Sequence, residues 1–138
     1  MRVCGVEIKA KEAILAIVEI NEDNDLVHIK SASKKLTLDD DRNCKSVQVL
    51  LEAIKALAND HELKYFVIKT RQAKGAMAAG GITFKIEGLF QLSGVPVKFV
   101  SPQALQKVAG TNTGSMPRTV NRYQEHAYLS AVSQLIKL

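Results

Sequence analysis

The chain opens on MRVCGVEIKAKEAILAIVEI, two apolar stretches separated by a short polar one. Side chains of an extended segment alternate between its two faces. Over residues 2–9, Val3, Gly5 and Glu7 therefore share one face, and Cys4, Val6 and Ile8 share the other. Both faces are apolar until Glu7, which places this strand in the middle of a sheet touched on both sides. A turn at Ala10-Lys11 leads into a second strand over Ala13–Ile20. Glu7 is then the one carboxylate at the C-terminal mouth of a buried central strand.

The polar run Asn21-Glu22-Asp23-Asn24-Asp25 is a strong turn signal, after which Leu26–Ile29 resumes an extended pattern. A short piece around Leu36 and Leu38 extends the early region, read as a meander of about three antiparallel strands. Asp39-Asp40-Asp41 precede a helix marked by Val47, Leu50, Ile54 and Leu57 at helical spacing. Acids beside the positive end of a helix have a sufficient structural reason, preferred here over metal binding. Tyr65–Ile68 reads as a buried strand ending at Lys69. TRQAKGAMAAGG matches no phosphate-loop pattern, and a helix is expected from Gly81 until Gly94. Val97–Val100 is a further strand, and Ser101-Pro102 opens a short helix ending near Gly110. Asn121 with Gln124 resembles a capping box for a last helix. On a wheel that helix has a broad apolar arc containing Ala127, Tyr128, Ala131, Val132 and Leu135. Glu125 falls inside the arc, with His126, Ser130 and Ser133 opposite. Strands joined through helices tend to run parallel with right-handed crossovers. The expected fold is thus an α/β mixed sheet with an antiparallel start and helices packed on it, in a single domain spanning 1–138.

At 138 residues, 46% hydrophobic and 24% charged, the chain suits one soluble core. No apolar run is long enough to span a membrane. Glu7, Lys9, Lys11 and Glu12 interrupt the N-terminal apolar segment, so secretion is not expected. Cys4 and Cys44 lie in no CxxC pair, and reduced thiols in a cytoplasmic protein are the default reading. The net charge of +5 is uneven: residues 1–63 carry −3, and residues 64–138 carry +8. This asymmetry is compatible with a basic face toward a polyanion, or equally with a solvated basic surface. Lys98, Lys107, Arg118 and Arg122, with Arg71 and Lys74 as additions, are the cations available to track a nucleic-acid backbone. His28 and His61 have no ligand set nearby in the sequence and read as ordinary surface or turn residues.

The stretches VCGVEIKAKEAILAIVE, YFVIKTRQAKG, GLFQLSGVPVKFVSPQALQKVAGTNTG and YQEHAYLSAVSQLI together cover most of the chain. They resemble the RNase H-like fold, in particular the RuvC-like group of junction resolvases. They are also similar to a small uncharacterised bacterial family of that group with a degenerate acidic site. The resemblance implies phosphodiester hydrolysis with two Mg²⁺ ions held by three or four carboxylates, which clamp the attacking and leaving oxygens. It places Glu7 at the first acidic position and Lys69 where a second acid belongs. A lysine there repels Mg²⁺. At the closing helix the matching positions are Glu125, favoured by the wheel, and His126, favoured by its place just before Ala127.

Three roles follow for Lys69: an ion pair with Glu7, a phosphate contact, or a part in catalysis. Three functions follow for the chain. The first is a nucleic-acid-binding domain, for DNA or RNA, without efficient catalysis. The second is a Mg²⁺-dependent nuclease using Glu7 and Glu125. The third is a non-catalytic homodimeric interaction protein.

Overall fold

The computed structural model describes residues 1–71, 80–111 and 115–136. In chain order its elements are β1 (Arg2–Lys9), β2 (Glu12–Ile20), β3 (Leu26–Ile29), β4 (Lys35–Thr37), α1 (Cys44–Asp60), β5 (Leu63–Lys69), α2 (Gly81–Gln91), β6 (Val97–Val100), α3 (Pro102–Ala109) and α4 (Glu125–Leu135). A 3₁₀ turn over Arg122–Gln124 leads into α4. The six strands form one mixed sheet in the order β3-β2-β1-β5-β6, with β4 also pairing with β2. β1 runs antiparallel to β2 and parallel to β5, and β5 runs parallel to β6. No helix among the described residues is long and apolar enough to cross a membrane.

β1 is the middle strand, and its alternation feeds two cores. Cys4, Val6 and Ile8 meet Phe66 and Ile68 of β5 beneath α1 and α2, where Phe66 packs edge-on to Phe90 at 4.9 Å. On the other face Val3, Ile14, Ala16, Val18 and Val67 meet α3 and α4. Burial on both faces explains why β1 and β2 read as continuous apolar runs.

The early region holds four strands, where the sequence pattern gave about three. β3 pairs with Ile17–Ile20 and β4 with Glu12–Ile14, so the two share one edge of β2. The short extended piece expected around Leu36 and Leu38 is β4.

The helix ends follow local rules. Asn43 caps α1 by accepting the Ser46 N–H at 3.0 Å. The aspartate run stands outside the first turn: Asp40 accepts the Arg42 N–H, and Asp41 pairs with Lys85 of α2. Ser101 caps α3 through the Ala104 N–H, with Pro102 opening the helix.

The helical wheel of α4 placed Ser130 and Ser133 opposite the apolar arc, yet neither faces solvent. Ser130 and Ser133 are buried along with every residue from Ala127 to Val132. The helix lies between the sheet and α3, so both sides of it are covered. Serine tolerates this because its hydroxyl bonds to its own helix. Ser130 donates to the His126 carbonyl at 2.8 Å, and Ser133 to the Ser130 carbonyl at 2.6 Å.

Gly5 fixes how near α4 comes. A Cβ there would fall on the Ala127 carbonyl oxygen and within 2.9 Å of the Ala131 nitrogen, both backbone atoms. No side chain fits, and the neighbours facing Gly5 are the small Ala127 and Ala131. Gly5→Ala is expected to destabilise the chain by about 3 kcal/mol through overpacking, read as a lower urea midpoint. An unchanged midpoint would contradict this packing.

Candidate functional site at the strand ends

The parallel register pairs Val6 of β1 with Ile68 of β5, so Glu7 and Lys69 come next on adjacent strands at their C-terminal ends. Such strand ends are where α/β sheets place ligand sites. The third member comes from α4. Gln124 donates its amide to the Leu15 carbonyl of β2 at 2.8 Å, and its side-chain oxygen accepts the Asn121 N–H at 3.0 Å. With Ala127 seated on Gly5, this anchor brings His126 over Glu7.

The three side chains form a closed triangle. Lys69 Nζ is 3.0 Å from Glu7 Oε2, His126 Nδ1 is 3.0 Å from the same oxygen, and Lys69 Nζ is 2.9 Å from His126 Nδ1. Lys9 Nζ stands 3.9 Å from the other carboxylate oxygen. The Glu7 side chain is only 3% exposed and that of Lys69 15%, whereas His126 is half open at 52%. With Lys69 charged, its contact with His126 is attractive when Nδ1 accepts and the imidazole carries its proton on Nε2. Nδ1 can accept from the Lys69 ammonium or donate to Glu7 Oε2, but not both at once, and in either arrangement at least one Lys69 N–H remains for a further acceptor.

Burial by itself raises the Glu7 pKa. The hydrogen bonds and charges of Lys69 and His126 together outweigh that effect, and the net result lies below the ordinary value of 4.5. A carboxyl whose folded pKa is depressed contributes stability above its unfolded pKa and loses it as pH falls through the folded value. Cys4, the thiol on the opposite face of β1, is pushed up to about 12 by burial and stays a packing group.

The donor set at Glu7 does not fit Mg²⁺. That ion takes oxygen ligands in near-octahedral geometry, whereas here a single carboxylate is engaged at 3.0 Å by an ammonium group. Among the described residues, no three His, Cys, Asp or Glu side chains come together in a group that could hold a metal ion. Glu125 is half-buried in the first turn of α4 and makes no hydrogen bond or ion pair with the cluster. The wheel favoured Glu125, but the residue in contact with Glu7 is its neighbour His126.

Lys98 lies on β6 with its Nζ 4.4 Å from the centre of the Tyr65 ring, on the α3–α4 face of the sheet. Lys107 is exposed on α3, Arg118 and Arg122 are exposed between α3 and α4, and Arg71 is half-buried just past β5. Lys74 lies outside the described residues. His28 is tied into the fold, its Nδ1 2.7 Å from Thr119 Oγ1 and its ring edge-on to Tyr128.

Solved structures of junction resolvases share this fold. Thermus thermophilus RuvC matches with a TM-score of 0.73 at 10% identity, over 96% of this chain and 92% of that one. The yeast mitochondrial Holliday junction resolvase Ydc2 matches with 0.60 at 12%, over 96% and 77%. Fowlpox virus resolvase, solved with substrate Holliday junction DNA, matches with 0.51 at 15%, over 99% of each chain. At these identities the likeness is one of fold. The chain belongs to the family described as protein of unknown function (DUF3010), whose model matches residues 1–134. No curated protein matches it in sequence.

Lys69→Met leaves a buried carboxylate without its cation and costs about 3 kcal/mol at neutral pH. In the double variant Glu7→Gln/Lys69→Met the loss is smaller than the sum of the two single losses, read in a double-mutant cycle of urea unfolding. The parent loses stability as pH falls below 4.5, and Glu7→Gln flattens that part of the profile.

Proposed function

We propose that this chain is a nucleic-acid-binding domain of the junction-resolvase fold that holds DNA without efficient metal-dependent cleavage. The observation that carries the reading is the 3.0 Å ion pair between Lys69 and Glu7. An ammonium sits on the carboxylate that a metal would need, and it is part of the chain, so it cannot be exchanged away. A lysine at that place acts on phosphate as a point charge, attracting the backbone without activating water.

Two further features support DNA as the partner. Neighbours of the same fold have been solved with Holliday junction DNA. Lys98, Lys107, Arg118 and Arg122 stand on the α3–α4 face and its connecting segment, the face onto which Lys69 and His126 also open. Backbone contacts of this kind position a duplex or a branch and carry no sequence information.

The test is fluorescence anisotropy with a four-way junction and a matched duplex, run across a salt series with EDTA present. Binding at low salt that weakens steeply as salt rises is expected. Arg118→Ala and Arg122→Ala should each lower the slope of log K against log salt by about 1. With Mg²⁺ added, the junction should stay intact. Absence of binding at low salt sinks the proposal. Mg²⁺-dependent cleavage that disappears in Glu7→Gln would instead establish a nuclease.

A further inference from the structure

Between α3 and α4, beside the triangle but without Glu7 in its lining, is a hollow of about 140 Å³. Its polar lining is Lys69, Gln106 and His126, and its apolar lining includes Pro102, Leu105 and Leu129. The size is informative. A cavity of about 150 Å³ holds one benzene molecule, so this hollow has room for about one six-membered ring.

The polar groups restrict what that ring can carry. Lys69 donates one N–H to Glu7 and has a second directed at His126 Nδ1, so the third is left for a ligand. The third, with the Nε2–H of a His126 that accepts at Nδ1, makes a pair of donors suited to an anionic oxygen. Glu7 is withdrawn from the hollow, and its charge serves to hold Lys69 in place. The Gln106 amide offers a donor and an acceptor together, the complement of a base edge. A ligand that answers all three features has a single ring, a hydrogen-bonding edge and a phosphate.

We propose that the hollow between α3 and α4 takes the base of one pyrimidine nucleotide, held against Pro102, Leu105 and Leu129, with the sugar outside it and the phosphate at its rim on Lys69 and His126. The inference rests on the nucleic-acid-binding reading above and adds a base-sized site to it. A nucleotide extruded from a strand and a free nucleotide present the same groups, since a base bound this way is unstacked from its neighbours. The single-ring volume also sets a preference, because a purine exceeds it.

The test is a ¹H–¹⁵N NMR titration of the full chain with thymidine 5′-monophosphate, deoxyguanosine 5′-monophosphate, thymidine and inorganic phosphate. Expected are shifts confined to β5's end, α3 and the start of α4, with thymidine 5′-monophosphate bound about tenfold more tightly than each of the others. Ala109, exposed on α3, also lines the hollow. Ala109→Trp should reduce that binding about tenfold with the urea midpoint unchanged. Gln106→Ala should narrow the difference between thymidine 5′-monophosphate and inorganic phosphate.

Equal binding of thymidine 5′-monophosphate and inorganic phosphate overturns the base site. So does full binding by Ala109→Trp. A chain that holds a four-way junction but shows no nucleotide-induced shift at these residues overturns this inference and leaves the DNA-binding reading intact. Nucleotide binding here, without binding of any polynucleotide, supports the hollow as a site for free nucleotides and removes the strand as its source.

Discussion

At Gly5 the backbone of α4 lies against β1 at a distance that any side chain would prevent. The approach costs the chain a packing group in its central strand and yields a helix start within hydrogen-bond range of a strand end. Ala127 and Ala131 complete the contact from the helix side, and the Gln124 bond to Leu15 stops the helix from sliding along the sheet. His126 meets Glu7 only because these constraints act together. The polar cluster is therefore a product of a close backbone approach two residues along β1 from it.

A buried carboxylate must find positive charge, and two kinds of partner can supply it. A metal ion brings a larger charge, several coordination positions and the ability to leave. A lysine brings one charge and three directional N–H groups on a fixed tether. With Lys69 on β5 beside Glu7, the two charges offset each other while an N–H remains for a ligand. Removing either member leaves the other's charge buried, so the pair constrains sequence change at both positions even where its net contribution to stability is small.

Much of this was legible from local pattern. The alternation in RVCGVEIK, the Ser101-Pro102 helix start and the Asn121/Gln124 bracket are written within a few residues, and the structure has each of them. The mixed sheet followed from strands linked through helices. The failures share a different cause. The burial of Ser130 and Ser133 depends on α3 covering the far side of α4, and helix periodicity says nothing about a second neighbour. The contact of His126 with Glu7 spans 119 residues of sequence and depends on the depth of the Gly5 seat. The hollow draws its lining from β5, α3 and α4, and none of its apolar residues is distinguishable in sequence from ordinary core.

The division of one sheet edge between β3 and β4 bears on how the protein behaves toward copies of itself. An uninterrupted outer strand would offer a row of free N–H and carbonyl groups as a template for another chain. Here β2 is flanked by two short pieces, and the link between them carries exposed Lys30 and Lys34. The opposite edge, β6, is only four residues long and displays Lys98. Both rims of an apolar sheet are thus short, broken or charged. A strand as hydrophobic as β2 can sit one place in from the edge without becoming a seed for aggregation.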